Sequence, residues 1–221
     1  MSLPFPSESP QQVSRQALEQ HYRIHLCALV QGQRELMRAL QHASSLGLQS
    51  WAIGAGVIRS LVWDELHGFA GRSTIPDWDF VYYDSASSIT QESELRAQLQ
   101  TLCAVDELEW DVVNQAHIHH WLGQMIGREC APYQNLEQAI ASWPETATCV
   151  ALSMTKDEQL EVIAPWGLSD LFELKVTPNP HCPSPSAFEQ RRRSKNWQQT
   201  WPRLQYATDE TTEWEPHLPT R

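Results

Sequence analysis

Asp77 and Asp79 flank Trp78 at the head of the run Asp-Trp-Asp-Phe-Val-Tyr-Tyr-Asp. Alternation along a strand puts both carboxylates on one face. Two carboxylates there make a poor core and a good site for a hard cation. Mg2+ takes oxygen ligands at about 2.0–2.1 Å, usually one or two carboxylates with phosphate and water. Upstream, Gly54-Ala55-Gly56 reads as a strand-to-helix turn. Such a turn can present backbone N–H groups to a phosphate at a helix N-terminus. Arg59 lies one helical turn further in, on the side that reaches the same phosphate. A third carboxylate, Asp111, falls on a later strand, opposite in face to Leu108, Trp110 and Val112. Three carboxylates on adjacent strands match a two-metal site holding attacking and leaving oxygens. The chemistry these residues suit is metal and phosphate chemistry, with Mg2+ or Mn2+ as the cation.

Each feature also has a plain structural reading. An Asp-x-Asp pair can cap a strand in solvent, and glycines at such a turn are commonly conformational. Arg59 can be a surface arginine. His117, His119 and His120 cluster, but on a helix only His117 and His120 share a face. That pattern suits a polar helical face better than a transition-metal site. Arg191-Arg192-Arg193 with Lys195 is the densest basic run. It serves either as a solvated face or as a contribution to a phosphate site.

The chain has 221 residues and a formal net charge of −11. That charge argues against a broad nucleic-acid surface, which needs basic patches. It leaves room for a nucleotide held by a local basic site. A chain so acidic must supply positive charge beside three carboxylates if it holds a triphosphate. The last helix, bearing Arg191 and Lys195, is therefore expected to pack back near the cleft. The five cysteines are widely spaced and form no Cys-x-x-Cys, which reads as reduced thiols. No signal peptide or membrane span is expected, and the expected location is the cytoplasm.

Several elements must position these residues. Residues 1–12 read as a flexible arm, 13–206 as one domain and 207–221 as a flexible tail. Apolar residues recur at helical spacing from Val13 to Leu46, with Gly32 as a break. A strand at Trp51-Ala52-Ile53 precedes the glycine turn, and a helix follows to Gly68. Strands are expected at Asp77–Tyr83 and Leu108–Val113, and helices at Glu92–Cys103 and Ala116–Ile126. Thr146–Met154 and Gln159–Ile163 read as a hairpin. Ala187–Trp201 reads as a last helix. The expected fold is α/β (α+β): a mixed sheet flanked by helices, with a core over about 50–130 and a hairpin-and-helix extension over 131–206.

Longer stretches carry a resemblance. Gly54-Ala55-Gly56-Val57-Ile58-Arg59, Val62-Trp63-Asp64 and Leu66-His67-Gly68 resemble a poorly characterised bacterial nucleotidyltransferase family. So do the Asp77–Asp84 run, Asp111-Val112-Val113-Asn114-Gln115-Ala116, Trp143-Pro144-Glu145-Thr146-Ala147-Thr148 and Ala164–Phe172. Lys195-x-Trp197 and Trp201-Pro202 fit too. This family is similar to the wider polymerase-β-like superfamily. The resemblance implies Asp77, Asp79 and Asp111 as catalytic metal ligands. It implies phosphate or nucleotide contacts at Gly54, Ala55, Gly56, Arg59, Asn114 and Lys195. It implies a transferase that uses Mg2+ and a nucleoside triphosphate such as ATP, with the acceptor left open. A nucleotide-binding or regulatory module on the same fold is the alternative. The chain carries Ala55 where the superfamily prefers a second glycine or serine.

Overall fold

Apolar residues at helical spacing build the first layer. Leu26 and Val30 are buried on α1 (Pro10–Gln31), and Leu36, Ala39, Leu40 and Ala43 on α2 (Arg34–Ser45). The break between the two helices falls at Gly32 and Gln33, as the sequence expects. The computed structural model describes residues 10–71, 73, 78–88, 90–104, 108–184 and 186–207, with side chains from residue 14 onward.

Among the described residues the main sheet has five strands in the order β3-β2-β1-β4-β5. They are β1 (Trp51–Gly54), β2 (Trp78–Tyr82), β3 (Trp110–Asn114), β4 (Ala151–Met154) and β5 (Leu160–Ile163). β1 runs antiparallel to both β2 and β4, and β2 runs parallel to β3. The sheet is therefore mixed. The connections are α3 (Gly56–His67) after β1 and α4 (Gln91–Leu102) between the parallel strands. Gly68 ends α3 in the left-handed conformation, as a glycine past a helix end readily does.

The hairpin forms as the sequence suggests, with Ala151 opposite Ile163 and Met154 opposite Leu160. Its place differs from the expectation. β4 bonds directly to β1, so the hairpin completes the main sheet and is not an appendage to a core ending near residue 130. The other expected strand residues Thr146–Thr148 form a single tight helical turn.

Alternation divides the sheet into two faces. Trp51, Ile53, Trp78, Phe80, Tyr82, Trp110, Val112, Leu152 and Met154 join the main core, with the buried residues of α1 to α4. Ala52, Val81 and Ala151 lie on the other face, beneath Leu136 and Ile140 of α6 (Leu136–Ile140) and beside Trp143. That second cover is smaller and lies over the β1 and β4 part of the sheet.

The C-terminal part returns to α3. α7 (Ser169–Phe172) and β6 (Lys175–Val176) lead to α8 (Ala187–Lys195), α9 (Trp197–Thr200) and β7 (Gln205–Tyr206), which pairs with β6. Asn196, at φ 42°, interrupts the single helix expected over Ala187–Trp201. Trp63 on α3 meets Trp197 and Trp201 edge-to-face at 5.4 and 5.2 Å. Trp201 Nε1 donates to Asp64 Oδ1 at 2.7 Å, which gives a buried carboxylate a buried partner.

Candidate active site

Two backbone registers decide which carboxylates meet. Asp79 stands opposite Asp111 across the parallel β2/β3 pair and opposite Gly54 across the antiparallel β1/β2 pair. Asp79, Asp111 and Gly54 therefore share the sheet face that α6 and Trp143 cover only in part. Both carboxylates are half-buried there. The register sets Asp79 beside Asp111, two of the three carboxylates expected at this site. Asp77 lies outside the described residues.

The glycine turn joins this pair directly. The Gly56 N–H, at the first position of α3, donates to Asp79 Oδ2 at 3.3 Å. A carboxylate at that place is favoured by the positive end of the helix. Ala55 caps the helix at φ 31° and ψ −82°, a region costly for a residue with a Cβ. Its N–H donates to the Val150 carbonyl at 3.0 Å. The turn was expected to offer bare N–H groups to phosphate. In this structure the Ala55 and Gly56 N–H groups are engaged, by Val150 just before β4 and by Asp79 on β2. Gly54 is glycine for space. A Cβ there would stand 2.7 Å from the Trp143 ring.

The cations differ from expectation. Arg59 points its guanidinium into an aromatic nest, 4.5 Å from the Trp197 ring centre and 5.5 Å from that of Trp63. Arg191 reaches the same ring at 5.6 Å and donates from Nε to Glu145 Oε1 at 2.8 Å. The Glu145 side chain is 1% exposed, and it also accepts from Thr148 Oγ1 at 2.9 Å. The last helices do pack back onto α3, but Arg191 serves a buried carboxylate. Lys195 is exposed on α8.

Asn114 is engaged within the chain. Its amide oxygen accepts from the backbone N–H groups of Asp84 and Ala116, and its amide nitrogen donates to Asp84 O and Ser87 Oγ. An amide has two acceptor positions and two donors, so its capacity is filled. Asn114 organises the loop after β2.

Sequence reasoning missed two residues. Trp143 packs over Gly54 and closes one side of the turn. Arg96 on α4 reaches round β3, placing Nη2 3.5 Å from Asp111 Oδ1. Trp143 stands in a stretch that carries the family resemblance, which gives it no role of its own, and Arg96 lies in no such stretch.

The histidines form no metal centre among the described residues, nor does any other group of three His, Cys, Asp or Glu. His117 precedes α5 (Ile118–Ile126), and the rings of His119 and His120 lie 3.9 Å apart. Burial, then the neighbouring His120, lowers the His119 pKa from its ordinary value. Tyr82, on the main-core face, is pushed up to about 12, chiefly by burial.

A family model described as nucleotidyltransferase matches residues 41–206. No curated protein matches the chain. A solved structure described as an NMR structure revealing a CCA-adding enzyme head domain superposes with a TM-score of 0.69 at 24% identity, over 82% of this chain and 94% of that one. A structure described as a tRNA-processing enzyme complex gives 0.42 at 18% identity, over 69% of this chain and 37% of that one. Another, described as the apo form of a tRNA-processing enzyme, gives 0.46 at 16% identity, over 77% and 42%. The first likeness establishes the fold, the expected mixed sheet flanked by helices. Among the described residues no helix is long and apolar enough to cross a membrane.

Proposed function

The chain belongs to this nucleotidyltransferase family, and from that premise we propose that it moves a nucleoside monophosphate from a nucleoside triphosphate such as ATP to an acceptor hydroxyl, using Mg2+ or Mn2+. The observation that carries the reading is the register of Asp79 with Asp111, beside the Gly54-Ala55-Gly56 turn. Two hard carboxylate donors on adjacent strands, half-open to solvent, fit a divalent cation. Asp79 and Asp111 would hold it together with Asp77. When bound, it supplies charge neutralisation at the phosphates.

The chain's own residues then have limited work. The N-terminus of α3 orients the phosphate chain by its field, since the nearest N–H groups are already engaged. Trp143 and the turn wall one side and exclude water. Asp111 accepts the proton of the acceptor hydroxyl. A bond forms between that oxygen and the α-phosphorus, the bond from the α-phosphorus to the bridging oxygen breaks, and pyrophosphate leaves. Positioning and electrostatics supply most of the rate, as in other phosphoryl transfers.

The test is incubation of the full chain with each α-labelled nucleoside triphosphate, Mg2+ and cell extract. A labelled product with release of pyrophosphate, both lost in Asp79→Asn, supports transfer. Nucleotide binding without pyrophosphate release, with or without metal, supports the binding-module alternative. No nucleotide binding by the wild type, with or without metal, would sink both readings.

A further inference from the structure

We infer that Arg96 is an exchangeable counter-ion, holding Asp111 in the metal-free protein and passing to the phosphate chain of the nucleotide when a divalent cation takes its place. The inference rests on the metal and nucleotide reading above, and goes beyond it by giving the site a movable cation.

Four observations lead to it. First, Asp79 and Asp111 are directly opposite each other on adjacent strands. Like charges in that relation repel, which favours a cation beside Asp111 in the metal-free protein. Second, Arg96 supplies one at 3.5 Å from Asp111 Oδ1. α4 buries Leu95 and Leu99 against the main core, which brings Arg96 to the flank of the helix, within reach of the far face around β3. Third, the pair is loose. Its side chains are 48% and 49% exposed, and ion pairs so open to water are easily exchanged. Fourth, two of the cations expected to meet a phosphate have structural partners, Arg59 lying over the Trp197 ring and Arg191 pairing with buried Glu145.

The consequence is a coupled exchange. A divalent cation bringing two charges to Asp111 displaces a single guanidinium from it. The released guanidinium stands at the mouth of the site with its planar fork of donors, which matches phosphate oxygens in pairs. Arg96 thus opposes the bare metal and favours the metal–nucleotide. It is a positioning residue in the metal-free state and a binding residue in the loaded one.

The experiment uses the full chain as wild type, Arg96→Ala and Arg96→Lys. Mn2+ binding without nucleotide is followed by the electron paramagnetic resonance signal of free Mn2+. Binding of inorganic tripolyphosphate at saturating Mg2+ is followed by calorimetry, which avoids any base preference. Arg96→Ala is expected to bind Mn2+ about two- to fivefold more tightly and tripolyphosphate about two- to fivefold more weakly, the range for one exposed charge pair. Arg96→Lys keeps the charge and restores wild-type Mn2+ affinity, with tripolyphosphate affinity between the other two. A merely structural role would move both affinities downward. Such a parallel loss, or no change in either, overturns the exchange while leaving the metal reading intact. Wild-type protein that binds no Mn2+ overturns the metal reading itself, and the exchange with it.

Discussion

The negative and positive halves of the proposed site are built on opposite terms. Asp79 and Asp111 stand on the open part of a sheet face, half-buried and in register. Arg59 and Arg191 are held in a nest of Trp63, Trp197, Trp201 and Glu145. The carboxylates are placed where a ligand can reach them, and these two arginines where the fold needs them. Charge in a sequence therefore does not announce its task. An arginine one helical turn past a glycine turn can serve the joint behind that turn.

The largest effect should come from the fixed half. Arg191→Met leaves the Glu145 carboxylate buried, with Thr148 Oγ1 as its remaining side-chain donor among the described residues. Breaking such a pair from one side should cost about 2–4 kcal/mol, a figure reduced for the partial exposure of Arg191. Urea unfolding measures it, and Mn2+ affinity should stay at the wild-type value. A loss of metal affinity with no loss of stability would erase the contrast between the halves.

Gly54→Ala probes the wall between them. The new methyl meets the Trp143 ring, and overpacking of this kind costs about 1–3 kcal/mol. Thermal unfolding should show it, and Gly54→Ala combined with Trp143→Leu should recover most of it. Full stability in the single variant would mean that Trp143 is free to move aside.

In the open half, Asp79→Asn and Asp111→Asn should leave stability nearly unchanged in the absence of metal. Relief of repulsion offsets the lost partners of each carboxylate. Mn2+ affinity should fall by roughly tenfold or more, about 1.4 kcal/mol. Destabilisation without any change in metal affinity would move these two residues into the structural class.

The smallest effect sharpens the comparison at the turn itself. Ala55 holds a backbone conformation that glycine adopts with ease. Ala55→Gly should stabilise the fold by about 1 kcal/mol, the strain relieved less the added freedom of the unfolded chain. A melting temperature below that of wild type would show that the Ala55 methyl has a packing role.

Local pattern made some of this legible. The helix break at Gly32, the turn at Gly54–Gly56, the end of α3 at Gly68 and the strands carrying Asp79 and Asp111 all follow from periodicity and punctuation. The shared face of the two carboxylates follows once β2 and β3 are neighbours. The pairing of β4 with β1 was hidden, because nothing in either segment names its partner. Saturation of Asn114 was hidden because it depends on the path of the loop at Asp84 and Ser87. Arg96 was hidden because its reach is set by how α4 lies on β3. The division of α8 from α9 turns on one residue, Asn196, in a left-handed conformation the helical pattern does not reveal.

The pairing of β1 bears on how the chain comes to be folded. Gly54 stands opposite Asp79 on one side and Ala151 on the other. A chain emerging from the ribosome can cover the first edge of β1 early, but must wait for the hairpin before the second is covered. Until then an apolar strand presents an open edge, the kind of surface on which nascent chains misassociate. Closing so long a loop also slows the last step of folding. A fragment ending near residue 130 would keep Asp79, Asp111 and the turn, yet lack the strand and the Val150 carbonyl that fix the turn in place.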